Sequence, residues 1–178
     1  AGRIAAAVVA FWLLIAIFGP WLAPHGVGAM VSAEVYDPIS RQFPLGSDFL
    51  GRDMLSRMLH GARFSIGLAL AAALLASGTG IALALVAAVG GRTADELLSR
   101  AMDTMISVPS KIFALVMIAA FGSSVPLLLL SAGITYVPGA FRIARALATQ
   151  IAAMDYVQSA RARGESRFAI AWREILPN

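Results

Sequence analysis

FSIGLALAAALLASGTGIALALVAAV, residues 64–89, is a run of twenty-six residues without a charged side chain. A helix needs about 20 mostly apolar residues to cross the hydrocarbon of a bilayer, so this run spans with room for tilt. Ala72, Ala76, Gly80, Ala84 and Ala88 fall at every fourth position. On a helix they form a smooth stripe that lets a neighbouring backbone approach closely, where no hydrophobic effect drives association. The run therefore reads as a spanning helix packed inside a bundle, although the abundance of alanine accounts for part of the stripe.

The whole chain has the matching composition. Of its 178 residues 59% are hydrophobic and 13% are charged. Soluble domains average about 45–50% apolar and about 25% charged, so a water-soluble enzyme, a disordered tail and a nucleic-acid binder are all disfavoured. The absence of cysteine removes disulfides, thiolate nucleophiles and zinc–thiolate sites. Histidine occurs only at His25 and His60, so a histidine-rich metal or relay site is not expected. The expected class is an all-α membrane protein, a polytopic helical bundle with about four transmembrane helices.

Upstream, Ile4 to Leu22 carries no charge and follows Arg3. Trp12 and Trp21 suit the aromatic belts at membrane interfaces. A secretory signal peptide is the alternative, but Gly19-Pro20-Trp21 does not resemble a small-residue cleavage site. Residues 1–23 are read as a first transmembrane helix. Residues 24–63 are read as an external loop and an amphipathic helix. Their charges cancel, with Glu34, Asp37, Asp48 and Asp53 against Arg41, Arg52, Arg57 and Arg63. Ser47 or Asp48 is suited to cap a short surface helix that ends near Gly61, with Leu50, Met54, Leu55, Met58 and Leu59 as its apolar stripe. Asp48/Arg52 and Asp53/Arg57 have the i,i+4 spacing of helical ion pairs. A solvated charged face with ordinary ion pairs explains the same charges.

Residues 64–178 are read as a core with three transmembrane helices and a cytoplasmic loop at about 150–178. After Gly90-Gly91 comes a short polar segment holding Asp95, Glu96 and Arg100. A third span is expected over about 102–121, kinked at Pro109, which cannot donate to the helical ladder. A fourth is expected over about 126–141. Six arginines then stand between 142 and 178 against Asp155, Glu165 and Glu174. Placing the N-terminus inside puts nine arginines inside and four outside, the arrangement favoured by the positive-inside rule.

No phosphate-binding loop is present, and Lys111 is the sole lysine. No catalytic or metal site and no cofactor is read. Charged side chains inside spans cost free energy and tend to face a cavity, partner or substrate path, so Lys111 and Asp103 are candidates for a translocation path. Structural snorkelling or pairing of Lys111 is the alternative. In the tail, Asp155 is suited to cap a short helix that runs through Arg163, Gly164 to stop it, and Ser166 to cap a second short helix. Two basic helices hinged at a glycine make a protruding hairpin, which suits either anionic membrane lipid or a cytosolic partner.

Gln158-Ser159-Ala160-x-x-x-Gly164, followed by Ile175-Leu176-Pro177, resembles the EAA loop of bacterial ABC importer permeases. The family pattern has Glu and Ala where this chain has Gln158 and Ser159, and its Ile comes one place earlier. The ending Ile175-Leu176-Pro177-Asn178 resembles the dipeptide/oligopeptide/nickel branch. So do the run from Pro44 through Asp53 (P-L-G-S-D-F-L-G-R-D) and Met102-Asp103 with Val108-Pro109-Ser110. The resemblance covers nearly all of the chain.

It implies a MetI-like permease subunit of an ATP-driven importer in the bacterial inner membrane. Such a subunit pairs with a second permease subunit, in a hetero- or homodimer. It works with two cytosolic ATPase subunits and an external substrate-binding protein, and with no nucleic acid. Gln158, Ser159, Ala160, Arg161, Gly164, Ile175, Leu176 and Pro177 would form the interface that couples to the ATPase. The family continues beyond Ile-Leu-Pro-Asn with about two further spans, so a C-terminally truncated chain is expected. Peptides, nickel and opine-like solutes all fit the branch. Two other readings stay open: a secondary transporter or channel subunit using Lys111 and Asp103, and a membrane scaffold.

Overall fold

The structure, a computed structural model, describes residues 2–32 and 35–178. Glu34, counted in the charge balance above, lies outside the described residues. The chain divides into two compact units, Ala1–Leu70 and Ala71–Asn178.

In the first unit, α1 (Gly2–Leu22) is followed by an irregular segment and by the start of α2 (Met54–Gly90). The helices meet closely at Gly19, where a Cβ would lie 3.0 Å from the Leu59 carbonyl oxygen. The separate surface helix expected to end near Gly61 is not formed. Its residues are the opening turns of α2, which runs on for 37 residues. One glycine costs a helix only about 1 kcal/mol, too little to stop it where an apolar run follows. At 1.5 Å per residue α2 is roughly 55 Å long, well beyond the hydrocarbon thickness. The expected cap is corrected too. Asp53, not Ser47 or Asp48, caps α2, accepting from the backbone N–H of Ser56 at 3.1 Å and of Leu55 at 3.3 Å.

Ser47 and Asp48 instead organise the preceding turn. Asp48 is buried and accepts from the Leu50 N–H at 2.8 Å, the Arg52 N–H at 3.0 Å and the Arg52 Nε at 2.8 Å. Arg57 also bonds to Asp48, so the expected Asp53/Arg57 pair is replaced by Asp48/Arg57. Asp53 spends its oxygens on Ser56 Oγ at 2.5 Å and lies 3.4 Å from His25 Nδ1.

In the second unit, α2 packs along α5 (Val125–Ala152). A Cβ on Gly80 would stand 2.7 Å from Ala140 Cβ and 2.8 Å from the Phe141 nitrogen, so the backbones touch there. At Gly133 it is the Leu75 side chain that fills the space a Cβ would need. Further along, Leu85, Ala88 and Val89 pack on the cluster that holds Ala148 and Ala152. Contacts advance together along both helices, so α2 and α5 run parallel. The small-residue stripe is at the seam: Ala72, Ala76, Gly80 and Ala84 are buried.

Parallel neighbours require the intervening chain to travel back. It does so as α3 (Arg92–Ser107) and α4 (Ser110–Phe121), bent by 82° at Val108-Pro109. The third span is thus a broken one, and it begins ten residues earlier than the expected 102. α3 holds to α5 through Arg145 and Asp95, and through Arg142 and Asp103 at 3.5 Å. These pairs explain why the fourth helix does not end at Phe141. Arg142 and Arg145 find carboxylates on a neighbouring helix, and α5 continues to Ala152 with the buried Pro138 inside it. Among the described residues α1, α2 and α5 are each long and apolar enough to cross a membrane, and α3 with α4 counts as a fourth when the bent pair is taken as one span.

Candidate functional site

The tail folds as a hairpin on the paired ends of α2 and α5. α6 (Asp155–Ala162) starts after Met154, whose side chain makes no capping bond. Asp155 is the first residue of the helix, where its charge faces the positive end of the dipole, and is not the cap expected. α6 ends in a Schellman motif. The Gly164 N–H donates to the Arg161 carbonyl at 2.9 Å, and the Glu165 N–H to the Ala160 carbonyl at 3.2 Å. Gly164 takes φ +80°, a left-handed conformation that other residues adopt only with strain.

Ser166 then caps α7 (Arg167–Ala169) by accepting from the Ala169 N–H at 3.2 Å, as its position suggested. The helix continues through Ile170–Ile175 in the wider π geometry. There the bond spans five residues, as from the Leu176 N–H to the Ala171 carbonyl at 3.0 Å. This brings Ile175 round to the face of Ile170, and both are buried. The Ile that comes one place late in the sequence therefore still reaches the core.

The two faces of the hairpin differ. Val157, Ala160, Ile170 and Ile175 are buried against Ala148 and Ala152 of α5, with Leu85, Ala88 and Val89 of α2 beside them. Gln158, Ser159, Arg161, Ala162, Gly164, Leu176 and Pro177 are exposed. Of the residues expected at the coupling interface, Ala160 and Ile175 thus anchor the hairpin, and the others lie on its outer surface. Gln158 also ties α6 to α5, its Nε2 donating to the Ala152 carbonyl at 2.8 Å.

Asp103 and Lys111 are not brought into one pair. Asp103 faces Arg142 across the α3–α5 seam. Lys111 is the second residue of α4, beyond the 82° bend, and among the described residues it makes no ion pair. Sequence reasoning missed the Asp95–Arg145 pair, whose partners are fifty residues apart. It also missed the stacked, exposed rings of Phe168 and Trp172. The i,i+4 spacing of that pair was the available signal.

A multi-span helical bundle carrying a glycine-stopped hairpin on its span ends defines a class, the inner-membrane permeases. Within it, residues 80–178 match the family described as "Binding-protein-dependent transport system inner membrane component", and the chain belongs to that family. The all-helical fold is of its MetI-like type. This is a family of transport permeases and not of enzymes. The chain is 34% identical over 174 residues to "Probable D,D-dipeptide transport system permease protein DdpC" of Escherichia coli (strain K12), covering 97% of this chain and 58% of the relative. It is 33% identical over 177 residues to "Di/tripeptide transport system permease protein DppC" of Pseudomonas aeruginosa (strain UCBPP-PA14), covering 94% and 58%. "Peptide transport system permease protein SapC" of Escherichia coli O6:H1 is 30% identical over 173 residues, covering 93% and 58%. The chain thus spans 58% of the length of these relatives.

Proposed function

We propose that the chain acts in an ATP-driven importer of peptides or similar small solutes, as a permease subunit that lines the translocation path with a second permease subunit. The outer surface of the hairpin, Gln158, Ser159, Arg161 and Gly164 with Leu176 and Pro177, docks on a cytosolic ATPase. An external substrate-binding protein delivers the solute. The relatives named for peptides support the substrate class. The observation that carries the mechanism is the hairpin's attachment. Val157, Ala160, Ile170 and Ile175 bury themselves against the ends of α2 and α5 together. Interiors packed in this way transmit displacement instead of absorbing it. A push on the exposed face therefore moves two spans at once.

On this reading the N-terminus and the hairpin are cytoplasmic, and residues 24–53 lie on the outer face of the inner membrane. Co-purification of the full-length protein with the ATPases encoded beside it tests the assignment. The expected result is a stable complex whose ATP hydrolysis rises with loaded binding protein. Full-length protein that recruits no ATPase overturns the assignment. Uptake driven by an ion gradient without ATP would support the secondary-transporter reading, but Asp103 is engaged by Arg142 and is poorly suited to be a coupling charge.

A further inference from the structure

Two prolines interrupt the helices of the second unit, Pro109 between α3 and α4 and Pro138 inside α5. Proline has no N–H to donate, so Pro138 leaves the Ile134 carbonyl without its helical partner, and helices bend at such positions. The two breaks face each other. Val108 and Ser110, which flank Pro109, and Ile134 and Thr135, in the turn before Pro138, line one cavity of about 240 Å³.

α5 is fastened differently on the two sides of its break. Beyond Pro138, Arg142 pairs with Asp103 at 3.5 Å and Arg145 with Asp95, and Phe141 is buried in one cluster with Met102 of α3. The hairpin is fastened to the same part of α5, at Ala148 and Ala152. Before Pro138 the neighbour is α4, and among the described residues no side-chain hydrogen bond or ion pair joins it to α5. The threonines at the cavity bond within their own helices, Thr104 to the Arg100 carbonyl at 2.9 Å and Thr135 to the Ser131 carbonyl at 2.7 Å. α2 passes the break without interruption. Its closest approach, Gly80 against Ala140 and the Phe141 nitrogen, stands beside the break as a fulcrum. Gly139, whose Cβ would meet nothing within 4 Å, leaves room next to it. Hinges are a few residues that absorb backbone change while the packed bodies on either side stay rigid.

We propose that Pro109 and Pro138 form one hinge. α3, α5 from Gly139 onward and the hairpin swing as one body against α4 and the earlier part of α5, and the cavity between the two breaks opens and closes with the swing. The hinge rests on the broken-span fold and does not need the hairpin to dock an ATPase. If an ATPase does dock there, its push reaches the spans through this joint.

The test measures distances between pairs of spin labels on introduced cysteines in the full-length protein, in lipid nanodiscs and diluted with unlabelled protein. Ser123→Cys with Ser159→Cys reads across both breaks. Leu97→Cys with Ser159→Cys reads within the hairpin body. The first pair should show two distances and the second pair one. Pro138→Ala, which restores the missing N–H, should remove one of the two distances and leave the 97/159 distance unchanged. Thr135→Leu, which fills the cavity from one wall, should also leave a single 123/159 distance, and it decides the matter alone if Pro138→Ala does not accumulate. A single 123/159 distance in the wild type overturns the proposal. So do two distances that survive in both variants, and so does a 97/159 pair as variable as the 123/159 pair, which would place the motion in the hairpin. Two distances without any ATPase recruitment leave the hinge standing and remove the coupling role; ATPase recruitment with one distance does the reverse.

Discussion

Single residues decide where the helices of this chain begin and stop. Gly164 at φ +80° closes α6, and a Cβ there meets nothing within 4 Å. Gly164→Ala therefore tests backbone strain and not crowding. It should cost the hairpin about 1–2 kcal/mol and, on the proposed coupling role, lower ATP-coupled uptake more than it lowers the amount of protein in the membrane. Hydrogen exchange at the Glu165 amide measures the first effect. Asp53 is a second such residue. Burial pushes its carboxyl up, but the Ser56 hydroxyl and N–H, His25 and the Leu55 N–H outweigh burial and hold it below the ordinary 3.8. A carboxyl whose pKa is lowered by folding stabilises above its unfolded value and loses that contribution as pH falls through the folded one. Asp53→Asn should therefore lower Tm at pH 7, and the gap to wild type should close as pH drops below about 3.8. A gap that persists unchanged at pH 2.5 would refute the role of the charge. These residues also mark what was legible. Gly164 and Ser166 announced themselves because stops and caps are local. Asp53 was assigned an i,i+4 partner, whereas its carboxylate turned to the helix N-terminus it precedes. That choice depends on Asp48 already holding Arg57.

Elements in this fold are chosen by their neighbours. α5 was expected to end where arginine begins, since apolar runs are read from the chain alone. The structure extends it by eleven residues: α3 supplies Asp95 and Asp103 to Arg145 and Arg142, and the hairpin covers Ala148 and Ala152 beyond them. Neither carboxylate is visible to a local pattern. Arg145 donates to both oxygens of Asp95 in a half-buried pair. Removing one partner leaves the other charge without its anion or cation. Asp95→Arg alone should therefore destabilise α3, and so should Arg145→Asp. The double exchange should recover part of the loss, read as ATPase-complex yield and thermal stability. No recovery in the double exchange would show that the pair is incidental. The α2–α5 seam makes a sharper prediction. Gly80→Val places a branched side chain against Ala140 Cβ and the Phe141 backbone, and backbone cannot move aside as a flexible side chain can. Overpacking of this kind costs about 1–3 kcal/mol. The same change at Gly78, whose Cβ would meet nothing within 4 Å, should be tolerated. Here the sequence was read correctly, because a small-residue stripe every fourth position is a packing signal in itself.

At the scale of the whole molecule, the parallel run of α2 and α5 carries the topological consequence. Two parallel spans need a return crossing between them, and only α3 with α4 is available. Either of these helices alone is short for a bilayer, 16 and 12 residues against about 20. From the sequence, the polar stretch around Asp95 and Glu96 was excluded from the span. Asp95 faces Arg145 of α5 and Glu96 pairs with Arg92 on its own helix, neither of which hydropathy can register. The chain has no cysteine, so single cysteines label without background. Arg41→Cys, Ser123→Cys and Ser159→Cys sit in the long loop, the α4–α5 turn and the hairpin, all exposed. With a broken span and the proposed cytoplasmic hairpin, a membrane-impermeant maleimide added to intact cells should modify positions 41 and 123 but reach 159 only after the inner membrane is opened. If α3 and α4 were instead a re-entrant loop, 123 would join the side on which α2 ends, and the parallel packing at Gly80 and Gly133 would be geometrically impossible. Protection of position 123 together with tolerance of Gly80→Val would overturn the fold of the second unit. Protection of 123 with intolerance of Gly80→Val would contradict itself within this geometry, so the two experiments check each other.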